Sequence, residues 1–136
     1  MNFPKEEKKF WQRHFRIEKL ENIPKHWGTL KRIDSEEDDE FFYFLSQRVT
    51  SISEIHLKQT LITDEAIKHI SKFEDLEILY LRKHQNITKE SIPYFNKMES
   101  LVSLNITKTA ITLSHLCEKL INQNLKEVFL SSETDE

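Results

Sequence analysis

His56 stands two residues after Glu54, and on an extended chain that spacing puts an imidazole and a carboxylate on one face. Such a pair is the smallest unit of general acid–base chemistry. Alone it is a weak signal, because two unrelated surface residues give the same spacing. The six histidines, at 14, 26, 56, 69, 84 and 115, are scattered, and none pairs with another at metal-ligand spacing. Cys117 follows Leu116 in a run that reads as helix, where a small, partly buried core residue is expected before a nucleophile. A single cysteine also forbids an internal disulfide. The acidic run Glu36 to Glu40 lacks the ligand spacing and glycine of a calcium loop, and it reads as a solvated helix start. These residue types therefore announce no catalytic set, no metal and no cofactor, and the expectation is a non-enzyme.

The stretch holding His56 recurs, and the recurrence says what must position it. ISEIHLKQTLIT begins at Ile52, LEILYLRKHQNIT at Leu76, LVSLNITKTAIT at Leu101 and LKEVFLSS at Leu125, a period of 24 to 25 residues. A fixed period in this range predicts stacked structural copies. Within each copy the first, fourth and sixth positions are apolar: Ile52, Ile55, Leu57; Leu76, Leu79, Leu81; Leu101, Leu104, Ile106; Leu125, Val128, Leu130. The step of two between the fourth and sixth is strand period, with both side chains on one face. About twelve residues then separate one strand from the next, room for a helical crossover, which predicts parallel pairing. Thr63, Thr88 and Thr112 each follow an isoleucine and suit helix N-caps, with Asp64 and Glu65 favouring the positive helix end. Ile67, Ile70 and Phe73, repeated as Ile92, Phe95 and Met98, give an apolar helix face; in the third copy Leu116 and Leu120 take that role. The second copy carries one extra residue between Leu81 and Ile87, at a surface turn where insertion is cheap.

The pattern Ile/Leu-x-x-Leu-x-Leu followed by x-x-Thr-x-Ile-Thr resembles the leucine-rich repeat family, over about residues 50–132. The resemblance implies an α/β solenoid with a parallel sheet on the concave face and helices on the convex face. It departs from the family at the ninth position, where Thr60 and Thr109 replace the usual Asn or Cys; their hydroxyls would bond the turn backbone instead. Residues 1–47 fit the pattern poorly and are expected to form an N-terminal helical cap with a degenerate first repeat. Pro4 to about His14 reads as a helix burying Phe10, Trp11 and Phe15, and Ile17, Leu20 and Ile23 continue the apolar signal. Trp27 to Ile33 reads as a strand, with Gly28 marking a turn. Ser35 is the expected cap of a helix burying Phe41, Phe42, Phe44 and Leu45, in capping-box spacing with Asp38. Repeats are assigned to 48–132 and a frayed acidic tail to 133–136, within one structural domain.

In such a sheet the odd positions between the buried ones face outward. The third position holds Glu54, Ile78, Ser103 and Glu127; the fifth His56, Tyr80, Asn105 and Phe129; the seventh Lys58, Arg82, Thr107 and Ser131. Aromatic residues and arginine are enriched at binding hot spots, so a face this rich in rings reads as an interaction surface. The expected contact residues are His56, Lys58, Ile78, Tyr80, Arg82, Asn105 and Phe129, and the expected partner is a protein with an acidic or mixed surface. A five-strand face can supply a standard interface of roughly 800 Å² per partner. By analogy with small solitary toxin-immunity and antitoxin proteins, the partner would be a toxin that the chain neutralises. The rival expectation is an adaptor or assembly subunit that uses its helical back or its N-terminal cap, with Phe10 and Trp11 as contacts. A net charge of −3 argues against general nucleic-acid binding. No apolar run spans a bilayer and MNFPKEEKKF lacks a signal-peptide core, so a cytoplasmic location without membrane contact is expected. Nothing in the sequence sets an oligomeric state.

Overall fold

Strands form where the aliphatic pairs recur, and they line up in chain order. The computed structural model describes residues 5–130. Pro4, Ser131 and the acidic tail therefore lie outside the described residues. The elements are α1 (Lys5–Phe15), β1 (His26–Ile33), α2 (Asp39–Arg48), β2 (Ser51–Lys58), α3 (Asp64–Ile70), β3 (Ile78–Arg82), α4 (Ile92–Lys97), β4 (Ser103–Asn105), α5 (Leu113–Lys119) and β5 (Glu127–Phe129). Short 3-10 turns at Leu20–Asn22 and Lys89–Ser91 complete the set. The molecule is thus an α/β protein with one five-stranded, all-parallel sheet, ordered β1 to β5, and five helices.

The strand registers follow the sequence period. Leu30, Ile55, Leu79, Leu104 and Val128 are successive cross-strand partners. The first four are buried, and with Leu57, Leu81 and Ile106 they pack against Ile67, Ile70, Ile92 and Phe95 of the helical layer in one core. All five helices contribute to this core, and the alternate strand residues are left on the opposite face. Truncating a core leucine such as Leu79 to alanine removes a side chain that no water touches, a change worth about 2–5 kcal/mol. Val128 keeps its register but is 37 % exposed, because β5 is the last described strand and nothing described packs beyond it.

The threonines cap as the pattern predicts. Thr63 and Thr88 accept from Glu65 N and Glu90 N, and Thr112 forms a reciprocal capping box with His115. An additional ladder joins successive helix starts. Asp39 accepts from the amide (2.7 Å) and hydroxyl (2.6 Å) of Thr63, and Asp64 does the same for Thr88 at 2.8 and 2.6 Å. Asp64 also accepts from the buried Ser91 hydroxyl. Lys89 occupies the next equivalent place and cannot accept, and there Thr112 is served by His115 instead. A second periodic device follows the strands. Asp34, Gln59, Lys83 and Lys108 all have left-handed backbones, with φ of 52°, 56°, 61° and 57°. The first three turn their amides onto the carbonyls of Lys58, Arg82 and Thr107.

The N-terminal region differs from expectation in three places. The cap of α2 is Asp38, whose carboxylate accepts from Phe41 N at 3.0 Å, and Ser35 instead donates to Glu37. A carboxylate nearer the helix serves the exposed amides better than a hydroxyl three residues upstream. Gly28 lies inside β1 and not in a turn, with open space where a Cβ would stand. Glu7, outside the set Phe10, Trp11 and Phe15 expected to be buried by α1, is 5 % exposed: it accepts from Trp11 Nε1 on its own helix and from Arg48 Nε and Nη2 at 2.7 and 2.8 Å. That bidentate pair ties α1 to α2, while Phe10 and Phe15 pack on Phe41 and Trp11 and Phe15 on Trp27.

Candidate interaction surface on the outward sheet face

The parallel register brings the outward residues into ladders. Lys31, His56, Tyr80, Asn105 and Phe129 are successive partners across all five strands. Ile33, Lys58 and Arg82 form the neighbouring row, and Thr29, Glu54, Ile78, Ser103 and Glu127 the row on the other side. Neighbouring strands are about 4.8 Å apart, so side chains in one row touch.

The rings of the central row are in contact. The His56 imidazole meets the Tyr80 ring edge-on, centroids 4.9 Å apart, and Tyr80 reaches across Asn105 to Phe129 at 6.1 Å in the same geometry. The Tyr80 hydroxyl lies 3.3 Å from Ser103 Oγ, and Ser103 is buried although it belongs to the outward face. His56 Nε2 is 3.1 Å from Glu54 Oε1. The two side chains, set aside in the sequence as unrelated surface residues, are therefore in contact. The hollow beside them, lined by Lys31, Ile33, His56, Lys58, Tyr80 and Arg82, is open and about 170 Å³. Among the described residues no group of three histidine, cysteine or carboxylate side chains is placed to hold a metal.

Not every predicted contact residue is equally available. His56, Lys58, Tyr80 and Ile78 are half-buried, whereas Arg82 and Phe129 are exposed. Asn105 turns its carboxamide oxygen inward along the chain, accepting from Thr107 N at 3.0 Å and Thr107 Oγ1 at 2.9 Å. It shapes the turn after β4 and leaves only its amide group for another molecule. Lys31 and Ile33 extend the surface onto β1 and were missed in the sequence. The signal was present, since Leu30 lies one period before Ile55, but Arg32 stands where the other copies have an aliphatic residue. Arg32 is held by other means: its guanidinium lies 3.6 Å from Glu37 and 5.8 Å over the Phe15 ring.

Two other expectations change. Cys117 is exposed on α5 and is not part of the core; the inward position of that turn belongs to Leu116. Phe10 and Trp11 are 7 % and 0 % exposed, so neither can serve as a contact of the N-terminal region with another molecule. Of the two substitute residues at the ninth position, Thr109 bonds the turn as expected, donating to Ile106 O at 2.9 Å and accepting from Ile111 N at 3.2 Å. Thr60 faces His84, which fills the ninth place of the second copy: His84 Nε2 accepts the Thr60 amide at 3.1 Å and lies 2.9 Å from its hydroxyl.

No protein-family model matches the chain, and no curated protein matches it. No helix among the described residues is long and apolar enough to cross a membrane.

Proposed function

We propose that the chain is a leucine-rich-repeat-type binding module without catalytic activity, and that it engages a protein partner through the outward face of its sheet. The observation that supports this most is the unbroken row of five outward residues, with three rings in edge contact and cations beside them. A rigid, parallel sheet holds these groups in place before any partner arrives, which lowers the ordering cost of binding. Aromatic and arginine side chains fixed in this way are the usual carriers of interface energy. The sharper form of the proposal is neutralisation of a toxin by occlusion, on the analogy of small immunity proteins, in a cytoplasmic setting. The rival role as an adaptor gains nothing from Phe10 or Trp11, which are enclosed by α2 and β1.

The test is affinity capture from the native cell, followed by measured affinity of the captured protein for Tyr80→Ala and Arg82→Ala variants. Each substitution is expected to weaken binding at least about tenfold, near 1.4 kcal/mol, with the native fold retained. Wild-type affinity in both variants overturns the sheet-face reading. Capture of a nuclease or pore-forming protein whose activity the chain suppresses supports the neutralising form.

A further inference from the structure

Three arginines elsewhere in this protein, Arg13, Arg32 and Arg48, lie beside carboxylates. Arg48 grips Glu7 with two nitrogens, and Arg32 lies beside Glu37. The cations of the outward face are not matched. Lys58 and Arg82 are direct cross-strand partners, and Lys31 stands diagonally on β1 as the partner of His56. None of these three side chains has a carboxylate within ion-pair distance among the described residues. Like charges placed directly opposite on a sheet are destabilising, so the fold tolerates a local repulsion here. The three cations rim the open hollow of about 170 Å³, whose floor and wall include the exposed Ile33 and the rings of His56 and Tyr80. The carboxylates of the same face stand at the other end of the strands: Glu54 sits against His56, and Glu127 lies on β5. The face is thus polar along the strand direction, with positive charge at the strands' carboxyl ends.

Building on the sheet-face reading, we propose that the partner places a carboxylate-bearing peptide segment in this hollow, Asp or Glu side chains flanking an apolar or aromatic residue. The carboxylates supply the counter-charge that Lys31, Lys58 and Arg82 lack, and the apolar residue covers Ile33 and the Tyr80 ring. A peptide fits better than a phosphate backbone. The cationic cluster spans three strands, on the order of 10 Å, about three residues of extended chain. A nucleic-acid track needs a longer cationic stripe, and the chain as a whole carries a net charge of −3.

The proposal is tested by NMR titration of the isotope-labelled protein with four probes of about ten units. They are a Glu-rich peptide with a central Phe, its Lys-for-Glu and Ser-for-Glu counterparts, and oligo-thymidine. The acidic peptide is expected to shift the amides of Ile33, Lys58 and Arg82 selectively. Its dissociation constant should rise at least about tenfold in the Lys58→Glu, Arg82→Glu double variant, and rise with salt. Leu113→Ser, exposed on α5 and away from the sheet face, should change it little. Equal binding of the serine peptide at this hollow overturns the carboxylate assignment and leaves the sheet-face reading standing. Tighter binding of the oligonucleotide shows that phosphate is the matching anion and overturns it too. Absence of any binding by the acidic peptide at millimolar concentration, or shifts elsewhere, also overturns it, while the Tyr80→Ala assay with the captured partner judges the broader reading separately.

Discussion

His84 shows how one side chain can tie two copies of a pattern together and make the tie depend on acidity. Its Nε2 accepts the Thr60 amide, so the folded state requires the neutral ring with its proton on Nδ1. That Nδ1 has no hydrogen-bond partner of good geometry. Burial lowers the His84 pKa, and the nearby Leu81 carbonyl opposes the shift. Burial, reinforced by Lys72, does the same at His69, and burial with Arg13 does so at His14. Each of these rings takes up a proton more readily in the unfolded chain, whose histidines titrate near pH ~6.5. Their contribution to stability is therefore complete above about pH 6.5 and declines as the pH falls toward the lowered folded values. Chemical denaturation at neutral and mildly acidic pH should show that loss. His84→Asn, which keeps an acceptor for Thr60, should flatten part of the slope while leaving stability at neutral pH within about 1 kcal/mol. The Glu7–Arg48 pair is a second residue-scale case. Arg48 holds the Glu7 carboxyl below its ordinary pKa, against the opposing effect of burial. Arg48→Met strands a carboxylate that is 5 % exposed, and it should cost about 3 kcal/mol in a denaturation experiment. The Glu7–Arg48 pairing could not be read from the sequence, because α1 lies outside the repeat; Thr60 and His84 stand one period apart, so their adjacency was legible but their hydrogen bond was not.

At the scale of elements, the starts at Thr63 and Thr88 are held both by their own caps and by the helix before them. Asp64→Ala removes the acceptor for Thr88 N, Thr88 Oγ1 and the buried Ser91 hydroxyl at once, and should cost about 2–3 kcal/mol of unfolding free energy. The sequence made the threonine caps legible, since Ile-Thr recurs at three successive starts, Thr63, Thr88 and Thr112. It did not separate the two roles of Asp64, because an acidic first-turn residue is favourable at any helix N-terminus. The misplaced start of α2 has the same origin: a run of five acidic residues offers several carboxylates, and only packing decides which one caps. The left-handed residues after the strands were invisible, because Asp34, Gln59, Lys83 and Lys108 follow no common residue type and none is the glycine or asparagine that usually marks such a backbone. A β-branched side chain is the poorest fit to that backbone. Gln59→Val should therefore lose at least about 1 kcal/mol, measured by the shift in thermal midpoint.

For the whole molecule, strand order equals chain order, so each strand leans only on its neighbours in sequence. Stability should then grade along the stack. Hydrogen exchange is expected to be slowest in β2 and β3, which are paired on both sides and face a dry core, and fastest in β5, a three-residue strand exposed throughout. Uniform protection from β2 to β5 would contradict this picture. The parallel sheet and its inward rows were legible because a period of 24 to 25 residues fixes register as well as identity. The first strand was harder to place because its sixth position is an arginine, neutralised by contacts from α1 and the loop before α2. The non-glycine bends at the strand ends have one more consequence. Glycine would satisfy those four backbones equally well, yet it would leave the margin of the sheet bare. With a polar side chain at every bend, exposed at Asp34, Gln59 and Lys83, that margin can exchange one charge for another there while the packed interior stays as it is.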